Sequence, residues 1–308
     1  MMKKLIALCL ALTLLFLSAC SMEPPGWAKP DKKEKIEDIK IGLSVSTLNN
    51  PFFVSLKDGV VKEVEALGME VIIVDAQNDS AKQVNDVEDL IQQGVDALLI
   101  NPTDSAAIST AVQSANTIGI PVVTLDRSAD KGKVEALVAS DNIKGGEMAA
   151  NYIIEQLGEN ALVAELEGVP GASATRERGQ GFHNIADQKL NVTAKQAADF
   201  DRTKGLTVME NLLQANPDIK AVFAHNDEMA LGAIEAINSS GKDVMVIGFD
   251  GNDDALNAIN AGNMEATVAQ QPELIGKLAV DAARDVLQGK KVEEIIAAPL
   301  KLVTKDNK

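Results

Sequence analysis

The strongest constraint on this chain is a regular alternation of short apolar runs with amphipathic stretches. Residues 39–46 form a β-rich run. Residues 51–67 then show helical spacing through Phe53, Val54, Val60, Val61 and Val64, with a stop at Gly68. Further strands are predicted over 71–75, 97–100, 121–126 and 136–140, with helices over 82–93 and up to about 118 between them. The pattern then starts again. Helices over 145–157, 175–189, 204–214, 227–238, 253–260 and 273–287 alternate with strands over 162–166, 192–200, 221–224, 244–249 and 266–270, and 295–303 reads as extended. Near-continuous apolar strands separated by helices require parallel sheets covered on both faces. The number of such units exceeds one ordinary open sheet. The expected fold class is therefore α/β, with two lobes, and a single (β/α)₈ barrel is the competing architecture.

The N-terminus is of a different kind. A basic start at residues 1–4 precedes an apolar run over 5–17 and the sequence Leu17-Ser18-Ala19-Cys20. These are the parts of an export signal, with an apolar run too short for a comfortable membrane-spanning helix. The last four residues resemble the lipobox of bacterial lipoproteins, in which the cysteine is lipidated. Residues 1–19 are therefore expected to be a signal peptide and Cys20 a lipid anchor. Residues 20–38, rich in proline and mixed charges, are expected to be a flexible tether. Loss of the leader removes two lysines and no acids, which takes the net charge from −16 to −18. The folded body then has no cysteine, which excludes a thiol nucleophile, a disulfide and a thiolate metal site. The acidity argues against a non-specific nucleic-acid partner.

In open α/β sheets, ligands bind beyond the carboxyl ends of the strands. Those positions hold Asn49, Asn50, Phe52, Phe53, Asn101, Asp126 and Arg127 in the first half, and Phe200, Asn226, Asp250 and Gln270 in the second. Arg178 lies a few residues into the helix after Val169. Asn and Asp at such places also serve as turn formers and N-caps. Both halves nevertheless repeat one chemistry, and it suits a sugar. Hydroxyls donate and accept, carboxylates and guanidinium groups hold neighbouring hydroxyls by planar geometry, and aromatic faces cover the C–H side of a ring. Aromatics make up only 3% of the chain, yet Phe52, Phe53 and Phe200 all fall at strand ends.

The segments Ser46-Thr47-Leu48-Asn49-Asn50-Pro51-Phe52-Phe53, Ile100-Asn101-Pro102-Thr103-Asp104, Thr124-Leu125-Asp126-Arg127, Ala198-Asp199-Phe200-Asp201-Arg202, Asn226-Asp227-Glu228-Met229-Ala230 and Gly248-Phe249-Asp250-Gly251 resemble those of the periplasmic ribose-binding proteins of bacterial import systems. The resemblance runs from about Ile39 to the C-terminus. It implies two Rossmann-like lobes with parallel sheets, residues 39–140 plus 271–299 and residues 141–270 plus 300–308, joined by a three-segment hinge near Ser140–Asp141, Gln270–Gln271 and Pro299–Leu300. It also implies D-ribose contacts at Asn50, Phe52, Phe53, Asn101, Asp126, Arg127, Arg178, Phe200, Asn226, Asp250 and Gln270. In that pattern Phe52 and Phe200 sandwich the ring, Phe53 closes one side, and the charged and amide groups hold the hydroxyls. Two features depart from the pattern: the lipobox with its tether, and His225, where a related protein carries glutamine. The first suggests a Gram-positive cell surface.

The implied role is a monomeric extracytoplasmic receptor. It closes on its sugar and presents both lobe faces to the transmembrane subunits of an ABC permease. ATP hydrolysis falls to that partner, since no Walker A sequence is present. Allose or another furanose-like sugar is the alternative ligand. Asp126 and Asp250 could be imagined as a glycosidase pair, but adjacent arginines and amides favour hydroxyl acceptors in a binder. No nucleophile–base pair supports an enzyme. A transcription repressor would need a helix-turn-helix head that residues 20–38 are too short and Pro-rich to form. Gly168-x-x-Gly171 reads as a turn rather than a phosphate cradle. Asp250-Gly251-Asn252-Asp253-Asp254 lacks the features of a calcium loop. The two histidines share no metal-ligand spacing, so neither cofactor nor metal is expected.

Overall fold

The computed structural model describes residues 35–307. The expected leader, Cys20 and most of the expected tether lie outside the described residues. At the start of the described chain, Ile36–Asp38 forms a 3₁₀ turn, and Ile36 packs against the first core.

The first half runs β1 (Lys40–Val45), α1 (Pro51–Ala66), β2 (Glu70–Asp75), α2 (Ser80–Gln92), β3 (Ala97–Ile100), α3 (Ser109–Ile118), β4 (Val122–Leu125) and β5 (Ala136–Ser140). The second half runs α4 (Asn142–Leu157), β6 (Leu162–Glu167), α5 (Ser173–Lys189), β7 (Asn191–Ala197), α6 (Arg202–Ala215), β8 (Ala221–Ala224), α7 (Asp227–Ser240), β9 (Met245–Asp250), α8 (Asp253–Ala261) and β10 (Ala266–Ala269). It is followed by α9 (Pro272–Leu287), β11 (Ile295–Ala298) and β12 (Lys301–Thr304).

These strands form two open six-stranded sheets, in the orders β11-β5-β4-β3-β1-β2 and β12-β10-β9-β8-β6-β7. The barrel alternative is excluded. The first sheet is parallel throughout, and in the second only β12 runs antiparallel, against β10. The two orders repeat one winding, so each lobe has its switch point beside its first strand. The extended end predicted over 295–303 is two strands, one in each sheet, broken at Pro299-Leu300. The chain thus passes between the sheets three times: after β5, after β10 and after β11.

Side-chain alternation builds a core on each face of each sheet. Ala97 and Leu99 of β3 face one core, while Leu98 and Ile100 face the other. In the second sheet Val222 and Ala224 face one side, and Ala221 and Phe223 the other. Each fully buried Leu, Ile or Phe contributes about 1.5–3 kcal/mol relative to exposure. These layers hold the strand ends in fixed register, which is what a site assembled from many loops requires.

Three helix pairs cross at glycines. A Cβ at Gly59 of α1 would overlap the backbone of Glu273 in α9, and one at Gly276 would overlap the carbonyl of Leu56. The same closeness recurs between α4 and α5 at Gly146 and Gly181, and between α6 and α7 at Gly205 and Gly232. Gly276→Val is expected to lower the unfolding free energy by about 1–3 kcal/mol or more through overpacking, as measured by urea denaturation. A change within experimental error would mean that these helices can move apart freely.

Candidate functional site

The strand ends that the sequence marked converge on one cleft between the lobes. Asn50, Phe52, Phe53, Asp126, Arg127, Arg178, Phe200, Asn226 and Asp250 line it together with Ala174. Asn101 and Gln270 stand behind the lining. Asn101 Nδ2 lies 3.5 Å from Asp126 Oδ2, and Gln270 Nε2 donates to Asp250 Oδ1 at 2.8 Å.

Local structure explains how each group is aimed. Asn50 caps α1, its side-chain oxygen accepting from Phe52 N at 2.9 Å, with Pro51 at the first helical position. Asn226 caps α7 in the same way, accepting from Met229 N at 3.0 Å. Capping and site duty therefore coincide: the cap uses the amide oxygen. Asn226 Nδ2 also reaches Phe200 O at 3.4 Å. Three lining residues hold left-handed backbone angles: Asp126 (φ 63°), Phe200 (φ 59°) and Asp250 (φ 128°). Non-glycine residues rarely adopt these, at a cost of about 1–3 kcal/mol each, and such strain collects at binding sites. Phe200 sits three residues past the end of β7, not at the strand end predicted for it. Its ring lies over Gly168, where a Cβ would overlap it.

Four charges meet in the cleft, one of each sign from each lobe, and all are nearly inaccessible to solvent: Asp126, Arg127, Arg178 and Asp250. The Arg178 guanidinium approaches Asp126 at 4.0 Å and Asp250 at 3.8 Å, too far for direct hydrogen bonds. Burial pushes both carboxyl groups above their usual range, more strongly at Asp250. Arg127 and Arg178 oppose this at Asp126, and Arg178 opposes it at Asp250, where Asp227 adds to the rise. Burial also lowers Arg127 to about 10. Asp126 Oδ1, Arg127 Nε and Gln270 Oε1 are buried without a hydrogen-bond partner among the described residues. Each such group costs about 1–3 kcal/mol unless a donor or acceptor reaches it. A solute with several hydroxyls supplies both.

The aromatics are arranged around the arginines. Phe52 and Phe53 meet edge to face at 5.2 Å. The Arg127 guanidinium lies 5.0 Å from the Phe53 ring and 5.1 Å from Phe200, which joins the lobes by a cation–π contact. Beneath Arg178, Phe249 stacks at 3.8 Å. Arg178 Nε donates to Asn142 Oδ1 at 2.9 Å, and Nη1 to the carbonyl of His225 at 2.6 Å. Sequence reasoning passed over Phe249 and Asn142, which hold this arginine. A phenylalanine directly before a strand-end aspartate was the available signal for one of them.

The two histidines also converge. The fully buried Glu165 accepts His225 Nε2 and His183 Nε2 at 2.9 Å each, and His183 Nδ1 meets Asp187 at 2.6 Å. His225 therefore lies behind the lining, its carbonyl on Arg178. No group of acids, histidines or cysteines among the described residues could hold a metal ion. The turn after β6 meets the other lobe, with Gly171 O accepting from Ser105 N at 3.0 Å. Ser173 N donates to Ser105 Oγ, Ser128 N to Ser173 Oγ, and Arg176 pairs with Asp130 at 3.1 Å, so the lobes stand closed on the cleft.

A model of the periplasmic binding protein domain matches residues 41–291. The chain belongs to that family. It is 73% identical over 98% of its length, and 99% of the relative's, to the ribose import binding protein of Bacillus subtilis. It is 55% identical to the Escherichia coli ribose import binding protein, over 86% of this chain and 90% of that one. Among solved structures, the Caulobacter myo-inositol binding protein bound to myo-inositol is similar with a TM-score of 0.84 and 31% identity, covering 90% of this chain and 96% of that one. The family is one of binding proteins rather than enzymes, and among the described residues no helix is long and apolar enough to cross a membrane.

The Glu165–His183 pair yields a prediction. Hydrogen bonding to Glu165 and Asp187 raises His183 from 6.5 to about 9, and the two histidines hold Glu165 down from 4.5 to about 2 against its burial. The raised base stabilises the fold fully below about pH 6.5 and loses that effect as pH climbs through about 9. The lowered acid stabilises it above about pH 4.5 and loses that effect as pH falls through about 2. The stability gap between wild type and His183→Gln should therefore be widest between about pH 4.5 and 6.5 and close above about pH 9. Thermal melts across pH would show this, and a gap that grows toward alkaline pH would contradict it.

Proposed function

We propose that the protein captures D-ribose in this cleft and hands it to the transmembrane subunits of an ABC permease, as the extracytoplasmic receptor of an importer. The observation that carries the reading is the facing set Asp126, Arg127, Arg178 and Asp250, whose charges stop just short of one another. Hydroxyls that bridge them would accept from the guanidinium groups and donate to the carboxylates, which stabilises the anionic forms that burial disfavours. Phe52, Phe53 and Phe200 supply apolar faces for the C–H surfaces of a furanose or pyranose ring. The name of the Bacillus subtilis relative, 73% identical, supports ribose as the solute.

Neither lobe holds the whole set, so a sugar favours the closed arrangement by its greater affinity for it. Closure also forms the Ser105–Gly171 and Arg176–Asp130 contacts, which lie outside the sugar contacts. A permease that reads both lobe faces at once would thereby recognise the loaded receptor. The lipobox-like end at Cys20 supports retention at a membrane by a lipid, with residues 20–38 as tether, and the protein acting as a monomer at a Gram-positive surface.

Isothermal calorimetry of the purified protein should give one ribose site much tighter than millimolar. Arg178→Ala and Asp250→Ala should each lose about 2–5 kcal/mol of binding free energy while far-UV circular dichroism stays native. Binding no tighter than millimolar, or preference for allose over ribose, would overturn the choice of sugar. Unchanged affinity in both variants would overturn the site. Cys20→Ser should move the protein from the membrane to the soluble fraction on cell fractionation, and retention without a lipid would refute the anchor.

A further inference from the structure

We propose that Asp227, which lies outside the cleft lining, is a positioning residue that fixes the direction of the Asp250 carboxylate toward the sugar. The inference rests on the reading of the cleft as a ribose site. Asp227 is the first residue of α7 and is fully buried. Its Oδ2 accepts from the main-chain N–H groups of Gly251 and Asn252, at 2.7 and 2.9 Å, and its Oδ1 accepts from Thr267 Oγ1 at 2.7 Å. One carboxylate thus ties together the start of α7, the turn that follows β9, and the neighbouring strand β10.

The last residue of β9, just before that turn, has the largest positive φ among the non-glycine residues described. Asp250 has φ 128° and Gly251 has φ 78°. Strain of this kind persists only where the surroundings over-determine it. On one side of Asp250, Gln270 donates from its backbone N–H to the Asp250 carbonyl and from Nε2 to Asp250 Oδ1, both at 2.8 Å. On the other side the next two N–H groups are held by Asp227 alone among the side chains of the described residues. Two glycines make the arrangement possible. A Cβ at Gly248 would overlap Asp227 Oδ1, and one at Gly251 would press on Ala269.

The grip has consequences for the charge itself. An aspartate buried this deeply is expensive to keep, and burial pushes Asp227 up to about 7 despite its three donors. A neutral residue in the same place would fill the space at no such cost. What the carboxylate provides is an acceptor for two successive N–H groups at the point where the chain must turn a side chain into the cleft. Removing it frees the turn to relax toward an ordinary φ, and the Asp250 carboxylate swings with it.

The test is a double-mutant cycle on ribose affinity, read by calorimetry well below each variant's melting temperature. Asp227→Ala should weaken ribose binding by about tenfold or more in the wild-type background, but by less than about threefold where Asp250 is already alanine. Asp227→Asn keeps an oxygen that can accept both N–H groups and should bind within about threefold of wild type. A structural role alone would lower the melting temperature and leave the affinity of the folded protein unchanged, or cost the same in both backgrounds, and either result overturns the proposal. Should Asp227→Ala fail to fold, Thr267→Val enters the same cycle. A loss that vanishes with Asp250→Ala then supports the proposal, and an equal loss or none refutes it. A ligand-free readout separates this inference from the ribose reading: the coupling between the amide and α protons of Asp250 should change in Asp227→Ala. An unchanged coupling overturns the proposal whichever sugar binds, whereas failure of the wild type to bind ribose overturns only the sugar assignment.

Discussion

Everything in the cleft depends on the four buried charges that face one another without touching. Asp126 and Arg127 come from one lobe, and Arg178 and Asp250 from the other. The set is neutral overall, yet each member has lost water, and separations of 3.5 Å between Arg127 and Asp126 and of 3.8–4.0 Å from Arg178 to the two carboxylates deny them full compensation. The surrounding structure serves to keep that arrangement in place. Phe249 and Asn142 hold Arg178, Pro102 O and two aromatic rings hold Arg127, and Asn101 and Gln270 stand against the carboxylates. Left-handed backbone angles at Asp126 and Asp250 show that orientation has been favoured over local comfort.

Such a site discriminates through what it leaves unpaired. A ligand with a hydroxyl in the wrong configuration would strand a buried guanidinium or carboxylate, a far larger loss than a missing apolar contact. The contacts between the lobes outside the cleft are polar: those through Ser105 and Ser173 are buried, and the ion pair of Arg176 with Asp130 is exposed. The ion pair registers closure without strongly driving it, since exposed ion pairs contribute little.

The fold was largely legible in the sequence because strand and helix periods differ and glycines mark the stops. The predicted strands over 97–100, 136–140 and 221–224 coincide with β3, β5 and β8. Helix α4 begins at Asn142, ahead of the predicted start at 145, because Asp141 caps it by accepting from Lys144 N, a tertiary-independent signal hidden by the glycines that follow. Whether 295–303 was one strand or two could not be read from local pattern, since Pro299 gave the break but not the change of sheet. At the site, residue types at strand ends marked the lining. Backing residues such as Glu165, Asn142 and Asp227 were not legible, because their role comes from pairings between distant segments, and buried acids in a helix or strand look like any other polar residue in one dimension.

The glycine crossings have a mechanical consequence. Where α1 meets α9, α4 meets α5 and α6 meets α7, backbone lies against backbone, with no long side chains between them to change rotamer. At these points there is nothing to repack by a rotamer change, so the spacing of each helix pair is set by the main chain itself.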